Sequence, residues 1–79
     1  MKADIQKKLN QIFRSVFKNQ GIEVTEQMTA NDVERWDSLS HVEMIAEVEK
    51  SFGIKFQLKE IMKFKNVGDM ATVIEKRLS

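Results

Sequence analysis

The sequence predicts an all-α fold, a small four-helix bundle with three longer helices, a short third helix and a long first loop. The chain has 79 residues, enough for one small domain over residues 1–79 and not for two. Apolar residues recur at intervals of three and four in several segments, which is typical of amphipathic helices. No proline interrupts these segments. Because the chain also lacks cysteine, its stability must come from packed apolar helix faces.

The first helix is predicted over residues 3–18 by one apolar stripe with helical spacing. The stripe consists of Ile5, Leu9, Ile12, Phe13, Val16 and Phe17. Gly21 follows it and is suited to a left-handed cap at the helix end. Residues 22–36 show no sustained period and predict a long loop, which is unusual in a small domain and often functional. We expect some of its apolar side chains to pin it to the core. These are Ile22, Val24, Met28 and Val33.

The second helix is predicted to begin at Ser38, with Asp37 as its N-cap, and to end at Gly53. Its expected buried stripe is Leu39, Val42, Ile45, Val48 and Phe52. Met44 lies off this stripe, so we expect it near the surface.

Two further helices complete the bundle. The short third helix is predicted from Leu58 to about Phe64, and Asn66 is a good N-cap for the fourth. The candidate core residues of the third helix are Leu58, Ile61, Met62 and Phe64. The apolar face of the fourth is Val67, Met70, Ala71, Val73, Ile74 and Leu78.

The net charge of +1 conceals a strong segregation of charge. Residues 1–20 carry five basic side chains and one acidic one, a net charge of +4. Residues 21–49 carry eight acidic side chains against one arginine, a net charge of −7. Residues 50–79 carry seven basic and three acidic side chains, a net charge of +4. The acidic block surrounds Ser38 and predicts a surface that can steer a basic partner.

The composition also excludes several classes of function. One histidine, no cysteine and scattered carboxylates give neither a metal-ligand spacing nor a catalytic constellation, so we expect no enzyme and no metal site. No apolar run is long enough to span a membrane, and the charged N-terminus is not followed by a signal-peptide apolar segment. The absence of cysteine fits a reducing compartment, and we expect a cytoplasmic protein.

Ser38 is the residue that bears most directly on function. It occupies the first turn of the second helix, where backbone N–H groups lack intrahelical partners and the helix dipole favours negative charge. A phosphodiester on its hydroxyl would therefore be better tolerated than one at a helix C-terminus. No base partner for this serine is evident in the sequence, and Asp37 beside it is better suited to capping the helix.

The segment Asp37-Ser38-Leu39, followed by Val42-Glu43 and an apolar helix that ends at Phe52-Gly53, resembles the acyl carrier proteins. The resemblance extends over nearly the whole chain. It implies a 4′-phosphopantetheine arm, derived from coenzyme A and attached to Ser38 by a phosphopantetheinyl transferase. Acyl groups would travel as thioesters on the thiol of the arm, which explains a carrier without cysteine. It also implies a monomer.

The resemblance further implies partners and contact residues. The partners would be the acyl-loading and acyl-processing ligases, synthases and transferases of fatty-acid, polyketide or related biosynthesis. Acidic contacts with them would come from Asp37, Glu43 and Glu49, with Glu47 nearby, and apolar contacts from Leu39 and Met44. Residues that could line a pocket for the acyl chain are Ile45, Leu58, Ile61 and Met62.

The chain departs from the general fatty-acid carriers in its near-neutral charge, in its basic third helix and in Trp36, which stands where they have a small residue. These departures predict a dedicated carrier for a specialised pathway. An aminoacyl or aryl carrier of a nonribosomal-type pathway remains an alternative. So does a small helical module that binds protein or nucleic acid, although the acidic middle segment opposes binding to nucleic acid.

Two residues near Ser38 have competing interpretations. His41 is either a contact for the arm or a partner, or an exposed helix residue, and we favour the exposed residue. For Trp36 we favour packing of the first loop over contact with partners.

Overall fold

The computed structural model describes residues 1–78, and the part of the chain that it describes contains helices and no strand. The helices are α1 (Ala3–Val16), α2 (Ser38–Phe52), α3 (Leu58–Lys63) and α4 (Val67–Leu78), with a single 3₁₀ turn at Ala30–Asp32 in the first loop. The predicted all-α class and the order of its elements are confirmed. Within the described residues, no helix combines the length and apolarity needed to cross a membrane.

The first helix, α1, forms the centre of the core. Its predicted stripe is buried, apart from half-buried Val16. The expected left-handed cap at Gly21 is wrong, because the residue with positive φ is Lys18, at 53°. Phe17, immediately before Lys18, is buried in the core, and the N–H of Phe17 still donates to the carbonyl of Phe13.

The second helix, α2, buries a face that differs from the predicted one in its first turns. Its buried residues are Met44, Ile45 and Val48. Leu39 and Val42 are 71% and 63% exposed, so their predicted burial is wrong. The expectation that Met44 lies near the surface is also wrong, because it is only 1% exposed.

The C-terminal end of α2 is as predicted. Gly53 ends the helix in the left-handed conformation, at φ 67°. The N–H of Ile54, which follows it, donates to the carbonyl of Glu49.

The short helix α3 buries none of its residues, whereas α4 buries four. Leu58 and Met62 of α3 are 72% and 78% exposed, and Leu78 at the end of α4 is also exposed, so their predicted core positions are wrong. A six-residue helix can attach by only one edge, and here that edge carries Ile61, with Phe64 just beyond it, both half-buried against the core.

The first loop is fixed to α1, as its apolar residues predicted. Ile22 and Val24 are buried in the core. The side chains of Gln6 and Arg14 donate to the carbonyls of Val24 and Ile22, at 2.9 and 2.8 Å. Asn10 accepts from the N–H of Val24 at 2.8 Å. The loop therefore has a defined path along α1.

The same loop is fixed to the start of α4. The N–H groups of Val67 and Gly68 donate to the carbonyls of Met28 and Glu26, each at 2.9 Å. A Cβ atom at position 68 would lie 2.9 Å from the Glu26 oxygen, so this close approach requires glycine. These contacts place the middle of the loop beside the start of α4.

Candidate functional site

The first turn of α2 is held by a reciprocal capping box. The Asp37 carboxylate accepts from the N–H of Ser40 at 2.9 Å, and the Ser40 hydroxyl oxygen accepts from the N–H of Asp37 at 2.8 Å. The Ser40 hydroxyl also donates to the carbonyl of Arg35 at 2.6 Å. Hydrogen bonds from the backbone and then the side chain of Ser40 lower the pKa of Asp37. Asp37 is therefore the N-cap, as predicted, and its charged form is favoured.

Ser38 is exposed at the first helical residue of α2. Its hydroxyl makes no hydrogen bond with any residue of 1–78, because the cap is made entirely by its neighbours Asp37 and Ser40. The hydroxyl is therefore accessible from solvent and takes no part in the helix cap.

The residues just before the cap turn Trp36 inward. Arg35 adopts the left-handed conformation, at φ 71°. The Trp36 ring then packs against Phe13 and Phe17, with centroid distances of 5.4 and 5.5 Å. The expected role of Trp36 in packing the loop is confirmed.

Trp36 also contacts His41 in the first turns of α2. Its indole N–H donates to Nδ1 of His41 at 3.1 Å, and the two rings stack with centroids 6.0 Å apart. His41 is half-buried, so the expectation of an exposed histidine is wrong. The sequence analysis missed this pair. A signal for it was present, since the one tryptophan precedes the one histidine by five residues at a helix start.

An open groove of about 660 Å³ runs between the start of α2 and the end of α3. Ser38 and His41 line one side of it, and Ile61, Met62 and Phe64 line the other. Of the four expected pocket residues, Ile61 and Met62 therefore lie at the groove. The other two, Ile45 and Leu58, do not line it, because Ile45 faces the core and Leu58 faces outward.

A smaller cavity of about 80 Å³ adjoins the groove and shares Trp36, His41 and Phe64 with it. Met44 and Met70 contribute to its apolar wall. An engineered cavity that binds benzene measures about 150 Å³. The cavity is roughly half that size and therefore fits a short aliphatic segment better than a ring.

The expected recognition residues separate into two groups. Leu39, Glu43 and Glu47 are exposed on α2, and so is Asp37, its N-cap. Met44 is buried and presents no surface to a partner. Glu49 is half-buried, and its Oε2 accepts from the N–H of Phe56 at 2.8 Å, so this carboxylate holds the connector between α2 and α3.

The third helix is capped at its start and joined to α4 by an ion pair. Glu60 accepts from the N–H of Gln57 at 2.8 Å and pairs with Arg77 of α4 at 2.6 Å. The hydrogen bond from Gln57, and then that from Arg77, lower the pKa of Glu60. Lys59 and Lys63 of α3 are exposed, so this helix presents a basic surface. In the stretch 1–78, no cluster of three or more His, Cys, Asp or Glu side chains could hold a metal ion.

A family model and a solved structure are both similar to this chain. Residues 7–74 match the family model described as the phosphopantetheine attachment site. The fold is similar to the solution NMR structure of a holo acyl carrier protein from Geobacter metallireducens, with a TM-score of 0.87 and 44% sequence identity. That alignment covers 94% of this chain and 85% of the other chain. The search of curated proteins gave no match.

Proposed function

Since this chain belongs to the phosphopantetheine attachment family and has the fold of an acyl carrier protein, with covalently attached 4′-phosphopantetheine as its cofactor, we propose that Ser38 is the residue that bears the cofactor. The observation that supports this assignment is the exposed Ser38 hydroxyl, which has no hydrogen-bond partner within the described residues and lies beside the groove. When bound, the cofactor supplies a terminal thiol that carries acyl groups as thioesters.

The residues around Ser38 fit this role. Asp37 and Ser40 keep α2 capped without using the Ser38 hydroxyl, so attachment breaks no hydrogen bond. The groove offers about 660 Å³ next to the serine. Neither titratable neighbour of Ser38 is suited to act as its base, because Nδ1 of His41 accepts from the indole of Trp36 and hydrogen bonds with Ser40 lower the pKa of Asp37. We therefore infer that a transferase activates the hydroxyl and that the chain is a carrier without catalysis of its own.

The attachment site is tested by incubating the protein with coenzyme A and a phosphopantetheinyl transferase and measuring its intact mass. We expect the whole population to gain the mass of one arm, and the variant Ser38→Ala to gain none while keeping its helical circular dichroism. The matched control is Ser51→Ala, since Ser51 is an exposed serine near the other end of the same helix. An arm on Ser38→Ala, or none on the wild type, would contradict the assignment.

We further propose that partner enzymes bind to a surface around the groove that has an acidic part and a basic part. The exposed side chains of Leu39, Glu43 and Glu47 form its acidic and apolar part on α2. Exposed Lys59 and Lys63 form its basic part on α3. Leu58 and Met62 add exposed apolar area next to these lysines. Exposed charges of this kind act mainly on the association rate and lose their effect as salt is added.

This surface supports a dedicated carrier whose partners present an acidic patch to α3 as well as a basic patch to α2. Elongation by a general fatty-acid synthase, compared with that enzyme's own carrier, tests the specialisation. We expect slower elongation here, and partial recovery in the double variant Lys59→Glu/Lys63→Glu. The matched control is Lys2→Glu/Lys18→Glu, which makes the same change of charge at two exposed lysines outside α2 and α3. Equal rates on the two wild-type carriers would refute specialisation and leave the assignment of Ser38 intact.

A further inference from the structure

His41 lies where a group attached to Ser38 would pass. The two residues are three apart on α2, and residues at this spacing are neighbours on a helix surface. Helical side chains lean towards the preceding turn, which for His41 is the turn that contains Ser38. Both residues line the same groove. A phosphodiester on Ser38 therefore starts beside the imidazole.

The ring nitrogens of His41 have distinct roles. Nδ1 accepts the indole N–H of Trp36 at 3.1 Å. A neutral imidazole has one donor and one acceptor nitrogen, so its proton resides on Nε2. No described residue accepts a hydrogen bond from Nε2, and this nitrogen is not sealed from solvent. The ring thus offers a free N–H donor at the groove.

Trp36 fixes this donor in place. Its ring is held by Phe13 and Phe17 of the core and stacks on the imidazole with 17° between the ring planes. The tautomer and the orientation of His41 are therefore set by a side chain that is itself anchored. The charged residues that share the groove and the small cavity with His41 are Asp37 and Lys65.

We propose that Nε2–H of His41 donates a hydrogen bond to a phosphodiester oxygen of the arm on Ser38, with Trp36 as the positioning residue. This inference rests on the proposed attachment at Ser38. The carboxylate of Asp37 repels the phosphodiester, whereas a fixed N–H donor one turn further along α2 stabilises it, because hydrogen bonds to an ionised acceptor are the stronger class. A neutral imidazole is sufficient for this hydrogen bond, because Nε2 then carries the proton.

The chain suits a spectroscopic test because it has one histidine and one tryptophan, so each ring gives a single set of signals. Ring ¹⁵N spectra of His41, which report the protonation of each ring nitrogen directly, are compared between the apo and holo proteins at the same pH. We expect Nε2 to carry the proton in both forms. In the holo form we expect its N–H to exchange with water roughly tenfold more slowly, as a net hydrogen bond to a charged group predicts.

Two variants separate the contact from a structural effect. His41→Phe keeps a ring against Trp36 but removes the donor, and we expect the ³¹P signal of the arm to shift from its wild-type position. Trp36→Phe keeps an aromatic ring against Phe13 and Phe17 but removes the N–H that Nδ1 of His41 accepts. The imidazole proton is then shared between the two ring nitrogens. We therefore expect a smaller slowing of Nε2–H exchange from the apo to the holo form than in the wild type. Should either variant not fold, the wild-type comparison decides alone.

Each outcome has a defined meaning when the intact mass is measured on the same samples. An arm that is present while the His41 signals are identical in the apo and holo forms would overturn the contact and leave the attachment site intact. An arm that is absent would overturn the attachment at Ser38 and this inference with it. Slower Nε2–H exchange in the holo form of the wild type, smaller in Trp36→Phe, supports the proposal.

Discussion

The helices α1 and α3 belong to the same small bundle but are held in it by different means. Four residues of α1 are buried, together with Phe17 just after it, whereas α3 buries none. The third helix is attached through the ion pair of Glu60 with Arg77 and through the edge-to-face contact of Phe64, just after the helix, with Phe56. The difference separates two tasks: α1 provides stability, while α3 presents apolar and basic side chains beside the groove.

The largest expected effect on stability comes from truncating a core side chain near the centre of α1. Phe13 is completely buried and contacts the rings of Phe17 and Trp36. Phe13→Ala removes these contacts and leaves a cavity, and we expect it to lower the free energy of unfolding by about 3 to 5 kcal/mol. That is a large fraction of the stability of a 79-residue domain, which is roughly 0.05 to 0.15 kcal/mol per residue. Urea denaturation followed by circular dichroism measures the loss.

The matched control is Phe13→Leu, which keeps most of the buried volume. We expect a smaller loss than for Phe13→Ala, because less cavity is created. If Phe13→Ala cost less than 1 kcal/mol, the core would not be centred on α1 and the comparison with α3 would be wrong.

The contrast between the two helices also explains how far the sequence could predict the structure. The phase of α1 was predictable because a four-turn stripe has a single orientation that buries all its apolar residues. In α3, six residues make fewer than two turns, and periodicity cannot decide whether Leu58 and Met62 face the core or solvent. Here they face solvent.

The start of α2 shows a second limit of prediction from the sequence. The expected stripe through Leu39 and Val42 and the observed one through His41 and Met44 share Ile45 and Val48 further along the helix. Spacings of three and four fit both, and the choice depends on Trp36, which arrives from the loop and covers His41. The exposed Ser38 and its cap were predictable because capping is local chemistry.

The connector into α3 gives the next largest effect. Glu49→Ala removes the carboxylate that accepts from the N–H of Phe56 and leaves this part-buried group without its partner. We expect a loss of about 1 to 2 kcal/mol in the free energy of unfolding. Glu49→Gln retains an acceptor oxygen and should lose much less. Urea denaturation of both variants is the measurement.

The exposed glutamates of α2 are the internal control for that experiment. Glu43→Gln and Glu47→Gln should leave the free energy of unfolding within about 0.5 kcal/mol of wild type, because both side chains are exposed. A loss in these variants as large as that of Glu49→Ala would remove the distinction between the structural carboxylate and those proposed for recognition.

The tie between α3 and α4 should have a local effect. Arg77→Gln removes the ion pair with Glu60, so we expect faster amide exchange in α3 and unchanged exchange in α1.

Lowering the pH should have the same effect on amide exchange in α3 as this variant. Because the pKa of Glu60 is lowered in the fold, its contribution is complete above its ordinary value of about 4.3 and is lost as the pH falls through the lowered pKa.

The variant Glu60→Gln should abolish that pH dependence in α3, and Lys63→Gln should leave it unchanged, since Lys63 is exposed on the same helix outside this ion pair. Amide exchange measured by NMR, corrected for the intrinsic effect of pH on exchange, tests all three variants. If amide exchange in α1 and α3 increased equally on acidification, the bundle would open as one unit and α3 would not be held separately.

The smallest expected effect on stability comes from the exposed apolar residues of α3. Leu58→Gln and Met62→Gln replace side chains that are mostly in solvent, with a residue of similar helix propensity, so the free energy of unfolding should change by less than about 0.5 kcal/mol. The transfer of acyl groups by a partner should slow, because these side chains flank the proposed docking surface. Denaturation and transfer rates measured on the same variants test whether α3 serves partner contact and not stability. A stability loss above 1 kcal/mol from either variant would mean that α3 contributes to the core as α1 does.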